Sequence, residues 1–151
     1  MIKKTLATLF LCSSMLSPAM AESETTDITV YRSPSCGCCK KWVQHLKDNH
    51  FNVTDIVKDD MQSVKQALGI PRALASCHTA VVKGYTVEGH VPADDIKTML
   101  TQKADIAGIS VPGMPAGTPG MEMGGRTASY QVVSFDKKGE FKVFNQYNVA
   151  P

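Results

Sequence analysis

Apolar and polar positions recur with changing periods along the chain, and the changes divide it into elements. Asp27 to Tyr31 (Asp-Ile-Thr-Val-Tyr) has the β-branched and aromatic content of a strand, which Ser33-Pro34-Ser35 breaks. From Cys39 to about His50, Trp42, Val43 and Leu46 recur at helical spacing, with Lys40, Lys41, Gln44 and Lys47 on the other side. Cys36-Gly37-Cys38-Cys39 therefore sits on the turn that opens this helix. Phe51 to Val57 alternates as a half-buried strand does. Asp59-Asp60 then opens an amphipathic helix through Val64, Ala67 and Leu68 to Gly69, and Pro71 ends it. Thr79 to Val82 reads as a third strand, Lys83-Gly84-Tyr85 as a tight turn and Thr86 to His90 as its hairpin partner. Pro92-Ala93-Asp94-Asp95 starts a helix to about Lys103. Residues 107–126 are so rich in glycine and proline that helix and strand are both excluded, which predicts a long loop. Residues 129–147 read as a closing hairpin, with strands Tyr130 to Phe135 and Phe141 to Tyr147.

The order β-α-β-α-β-β-α is similar to that of thioredoxins and glutaredoxins. It predicts an α/β fold, a thioredoxin-like three-layer sandwich, extended here by the Gly/Pro/Met-rich loop and the C-terminal β-hairpin. Ahead of it, Met1-Ile2-Lys3-Lys4, the apolar stretch Leu6 to Leu16 and Pro18-Ala19-Met20-Ala21 have the charged, apolar and small-residue parts of a secretory signal. The apolar run is far short of the roughly 20 residues that span a bilayer. The expectation is a signal peptide over 1–21, which removes Cys12, and one domain over 22–151 with no membrane span after cleavage. Cleavage removes Lys3 and Lys4, lowering the 16 basic residues to 14 against 14 acidic ones. A neutral mature chain carries no nucleic-acid signature. A periplasmic location follows from the signal.

That location changes the meaning of the four remaining cysteines, Cys36, Cys38, Cys39 and Cys77. Two structural disulfides are the ordinary use of four cysteines in an oxidising compartment. Three of these, however, fall within four consecutive positions and cannot clamp distant parts of a fold. Cys36 and Cys39 have C-x-x-C spacing at a helix N-terminus, where the helix dipole and free N–H groups favour thiolate, which is both nucleophile and metal ligand. Cys38 adds a third thiol that a simple exchange enzyme would not use, and it points to a metal. On a helical turn, Cys38 would point about 100° from Cys39, so thiolates bridging two or more Cu(I) ions suit the spacing better than one tetrahedral ion. Met114, Met121 and Met123 in the loop add thioethers, soft ligands that suit Cu(I). Packing of the loop is the alternative for each of them. Met61 and Met99 fall at helical apolar positions and are expected in the core. His45, His50 and His90 have no soft neighbours in sequence and are expected in surface or packing roles.

In thioredoxin-like folds the loop entering the third strand faces the C-x-x-C and normally carries a cis-proline. Here that stretch is Ser76-Cys77-His78-Thr79-Ala80, which places Cys77 and His78 toward the motif as candidate ligands. Tyr31-x-x-Pro34-x-Cys36-Gly37-Cys38-Cys39-x-x-Trp42, Cys77-His78-Thr79 and the Pro112 to Glu122 loop together resemble the CopG-type periplasmic copper-resistance family. The resemblance covers essentially the whole mature chain. It implies a thioredoxin-like fold, copper binding through the cysteines and a role in copper tolerance, with copper ions and other periplasmic copper-handling or redox proteins as partners. The missing proline argues against general protein disulfide exchange. Three functions stay open on these residues: a Cu(I)-thiolate protein holding more than one ion per chain; a dithiol-disulfide oxidoreductase with Cys36 attacking and Cys39 resolving; and a structural zinc site that folding would require.

Overall fold

The computed structural model describes residues 25–122 and 124–148. The signal peptide expected over 1–21 and the candidate ligand Met123 lie outside the described residues. Among the described residues, seven strands form one sheet in the order β2-β1-β3-β4-β5-β6-β7. They are β1 Thr26–Arg32, β2 Phe51–Val57, β3 His78–Val82, β4 Tyr85–Glu88, β5 Gly108–Ser110, β6 Tyr130–Phe135 and β7 Phe141–Tyr147; α1 Gly37–Asp48, α2 Met61–Ala67 and α3 Ala93–Gln102 complete the fold. The strand pairs β1/β2 and β4/β5 are parallel, and the other neighbours are antiparallel. This is the mixed sheet of a thioredoxin-like α/β fold, widened at one edge by β5 to β7. Among the described residues no helix is long and apolar enough to cross a membrane.

The elements follow from local chemistry. Helix α1 buries Cys39, Trp42, Val43 and Leu46, the i, i+3, i+4, i+7 stripe of an amphipathic helix. Each large apolar side chain taken fully from water on such a stripe contributes roughly 2 kcal/mol. The stripe meets Ile28, Val30, Ala80, Val82 and Val87 of the central strands. Asp60 caps α2, accepting the Ser63 N–H at 3.0 Å. Helix α3 begins at Pro92 without a side-chain cap of its own, and His45 of α1 accepts the Ala93 N–H at 3.1 Å instead. A second, smaller apolar cluster of Ile70, Leu74, Val133 and Phe135 fixes the connection after α2 against β6.

Four expectations are corrected. Residues 107–126 are not loop throughout, because Gly108–Ser110 form β5 between β4 and β6. Glycine fits there because a Cβ at Gly108 would collide with the Thr86 backbone and the Phe135 ring. The partner strand in the first hairpin stops at Glu88 rather than His90, since Gly89 turns out of the ladder with a φ of 73°. Met99 is buried in the core as expected, whereas Met61 is only half-buried at the start of α2. His90 is fully buried rather than on the surface, and its place is given below.

Candidate metal centre

The extended residue before α1 sets the first half of the site. Cys36 is the N-cap, with φ −77° and ψ 94°, and its Sγ accepts the Cys39 N–H at 3.3 Å. Cys36 and Cys39 are joined in a disulfide, and Cys38 is a free thiol whose Sγ lies 3.4 Å from that of Cys36. The step of about 100° per residue applies to Cys38 and Cys39, both within α1; Cys36, the N-cap outside the helix, is not bound by it and brings its sulfur to both.

The second half comes from the strand hairpin. Cys77 immediately precedes β3, and its sulfur joins those of Cys36, Cys38 and Cys39, all four within 4.8 Å of one another. Cys77 is also one corner of a second triad: its Sγ lies 3.2 Å from His78 Nδ1 and 3.1 Å from His90 Nε2. Four sulfurs and two imidazoles thus meet around one thiol.

The two imidazoles differ. His90 Nδ1 lies 2.7 Å from the Pro119 carbonyl oxygen, which can only accept, so Nδ1 carries the proton of the neutral ring. Nε2 then turns its lone pair toward Cys77. This is the arrangement in which a histidine ligand is oriented by donating its other N–H to a backbone carbonyl. His78 is fully buried between Trp42, with ring centroids 4.3 Å apart, and His90, at 4.8 Å. Its Nε2 is buried without a hydrogen-bond partner, a costly condition. Burial, followed by the His90 and Lys65 charges, holds its pKa well below 6.5. Burial also lowers that of His90, against the opposing effects of the Pro119 carbonyl and Glu122. Both rings are therefore neutral at pH 7, the state a metal needs. Cys77 is pushed up to about 11, first by burial and then by Cys38, so its thiol is protonated at neutral pH and a metal must displace that proton.

The loop between β5 and β6 reaches this site through its backbone. Besides Pro119, Gly120 lies against the first turn of α1: a Cβ there would fall 2.8 Å from the Trp42 nitrogen and 2.9 Å from the Cys38 carbonyl oxygen. Met121 follows directly and is half-buried. Met114 is 54% exposed. The sequence-predicted residues Cys36, Cys38, Cys39, Cys77 and His78 come together; Met114 points its surface to water; and His90 was missed. A signal for His90 existed in the two-residue turn Lys83-Gly84. With Val82 opposite Tyr85 and Thr79 opposite Glu88, counting back along both strands sets Cys77 level with His90. His45, besides capping α3, is lowered in pKa by burial, opposed by Glu122; His50 is exposed in a left-handed conformation at φ 67°.

Residues 74–121, which include Cys77, both buried histidines and Met114, match a family of proteins of unknown function, DUF411. Two solved structures are similar to the chain over most of its length. One is named Copper resistance protein copG, form 2; it is 51% identical, with a TM-score of 0.78, over 82% of this chain and 99% of that one. The other, form 1 of a protein of the same name, is 52% identical with the same TM-score, over 82% of this chain and 98% of that one. No curated protein matches the chain.

Proposed function

Because the chain belongs to the CopG family of copper-resistance proteins, we propose that it is a periplasmic copper-binding protein that holds Cu(I) at Cys36, Cys38, Cys39 and Cys77. The observation that carries this reading is the meeting of the four sulfurs within 4.8 Å, since thiolates select soft Cu(I). His78 and His90 extend the donor set to six. A single tetrahedral ion takes four donors, so the surplus favours two or more ions bridged by sulfur. Met121, beside the backbone that touches α1, is placed to offer a thioether; Met114 is exposed and serves transfer at most.

The Cys36–Cys39 disulfide supplies the redox part of the proposal. Two Cu(I) ions giving one electron each reduce this bond to two thiolates and leave two Cu(II); the reverse transfer reforms the bond and returns Cu(I). The chain could thereby contribute to copper resistance by interconverting the two oxidation states or by passing copper on. The same disulfide favours one second reading, a metal-free dithiol oxidoreductase with Cys36 attacking and Cys39 resolving. Cys38 and the buried histidines have no task in it.

Anaerobic titration of the fully reduced protein with Cu(I) tests the first reading. Uptake of more than one equivalent is expected. Saturation at one equivalent overturns the multinuclear site, and failure to bind overturns the copper reading. Reduction of insulin by the metal-free protein would support the second.

A further inference from the structure

Beneath Cys77 and His78 lies a buried charged group that the copper reading does not use. Glu88, at the end of β4, is 0% exposed. One carboxylate oxygen accepts from Lys65 Nζ of α2 at 2.5 Å and from the Ser76 backbone N–H at 2.6 Å. The other accepts from the Thr79 hydroxyl at 2.5 Å, and Lys65 Nζ also donates to Thr79 Oγ1 at 2.9 Å. Ser76 and Thr79 are the two residues that bracket Cys77-His78. The carboxylate thus ties down both ends of the ligand-bearing segment, and Lys65 closes the ring from another element.

A buried ion pair is weak evidence for stability, because desolvation of two charges consumes most of the attraction. What this pair does is geometric. Residues 75–77 lie between a 3₁₀ turn ending at Leu74 and the start of β3, so Cys77 has no strand ladder to hold it. The Ser76 N–H would otherwise point into the protein without a partner, a state that backbone donors avoid. We infer that Glu88, supported by Lys65, is a positioning residue that holds Cys77, just ahead of the β3 ladder, in place for metal capture. It acts at one remove from the metal, as outer partners of metal ligands do. The inference rests on the copper reading for its purpose, and on the hydrogen bonds alone for its geometry.

Two double variants separate positioning from stability. Lys65→Met with Glu88→Met replaces the pair by apolar groups of similar length and leaves the Ser76 N–H unpartnered. Lys65→Met with Glu88→Gln removes the charges but keeps an amide oxygen for that N–H and an amide donor for Thr79 Oγ1. In copper-loaded protein, the Met/Met variant should release Cu(I) to a competing chelator on the order of 10-fold faster than wild type. The Met/Gln variant should remain within about twofold of wild type. In metal-free reduced protein, alkylation of Cys77 by iodoacetamide, followed by peptide mass spectrometry, should rise in the Met/Met variant and not in the Met/Gln variant. Hydrogen exchange at the Ser76 amide of wild-type protein needs no variant: it should be slow, as in the strands, rather than fast, as in a free loop. Wild-type release and alkylation in the Met/Met variant overturn the inference, as do equal losses in both variants or fast exchange at Ser76. If wild-type protein binds no Cu(I), the copper reading fails while alkylation and exchange still decide the clamp.

Discussion

The two halves of the cysteine site are built by opposite means. Cys36, Cys38 and Cys39 are placed by the cap and first turn of one helix, so three sulfurs come together from four consecutive residues. Cys77, His78 and His90 are placed by a hairpin register, by the Pro119 carbonyl and by the Glu88 network. Cys36 and Cys38 are partly exposed, whereas both histidines are fully buried. The difference teaches that the geometry of the helix-end half is local, set by one helix end and its disulfide, whereas that of the hairpin half is shared by several elements. Under the proposed function, the first half would be the one to change redox state and the second the one to stay fixed.

The sharpest way to break this division is Cys77→Ser, which removes the one sulfur that belongs to both groups. Cu(I) affinity should fall by on the order of 100-fold or more, above the usual range for outer partners, while Cys38→Ser should cost less. Chelator competition measures both; equal losses would mean that Cys77 is not special. Next in size is Gly120→Ala. It forces a side chain into a left-handed residue, φ 85°, already against the Cys38 and Trp42 backbone. A loss of about 2 kcal/mol is expected from the conformation and the clash, read as a lower midpoint in denaturant, and the loop should lift from α1. Wild-type stability would show that the loop rests loosely there.

His90→Gln should lower Cu(I) affinity roughly 10-fold and alter the absorption of the loaded protein with little change in fold. An unchanged spectrum would return His90 to a packing role. The next test is pH. The Cys77 pKa is raised from 9.0 to about 11, so the folded reduced protein holds that proton more tightly than the unfolded chain. Its contribution is present below pH 9 and lost as pH rises toward 11. The pKa values of His78 and His90 are lowered from 6.5, so theirs is present above pH 6.5 and lost as pH falls below it. Metal-free protein should therefore be most stable between these limits, and His78→Gln should reduce the acid loss. A flat profile by thermal melting would contradict the burial of these groups. The smallest effect is expected of the loop: Met114→Leu should leave copper release unchanged, and Met121→Leu should speed it about twofold, within the weak-ligand range of a thioether. Equal effects would erase the distinction between an exposed and a half-buried methionine.

The periodic elements were legible because their signals are local. Trp42, Val43 and Leu46 mark α1, Lys83-Gly84 marks the first hairpin, and Asp136 to Glu140 the last; all are where spacing and turn chemistry put them. The three-residue strand β5 was not legible, since Gly108 is permitted in it only by the Thr86 and Phe135 atoms that crowd its missing Cβ. Cys36, Cys38 and Cys39 announce themselves by their spacing, and Cys77-His78 by its position in the order of elements.

By itself the sequence determined the thiols, their softness and the helix end that carries three of them, because composition and short-range periodicity need no knowledge of distant residues. The hairpin turn sets His90 level with Cys77, but only the tertiary structure decided that its imidazole turns inward to that thiol, that Glu88 and Lys65 stand beneath both, and that Pro119 and Gly120 rather than Met114 meet the site. Those choices depend on which side chains lose their water together. Burial of that kind belongs to pairs of elements far apart in the chain, and no window along the sequence contains it.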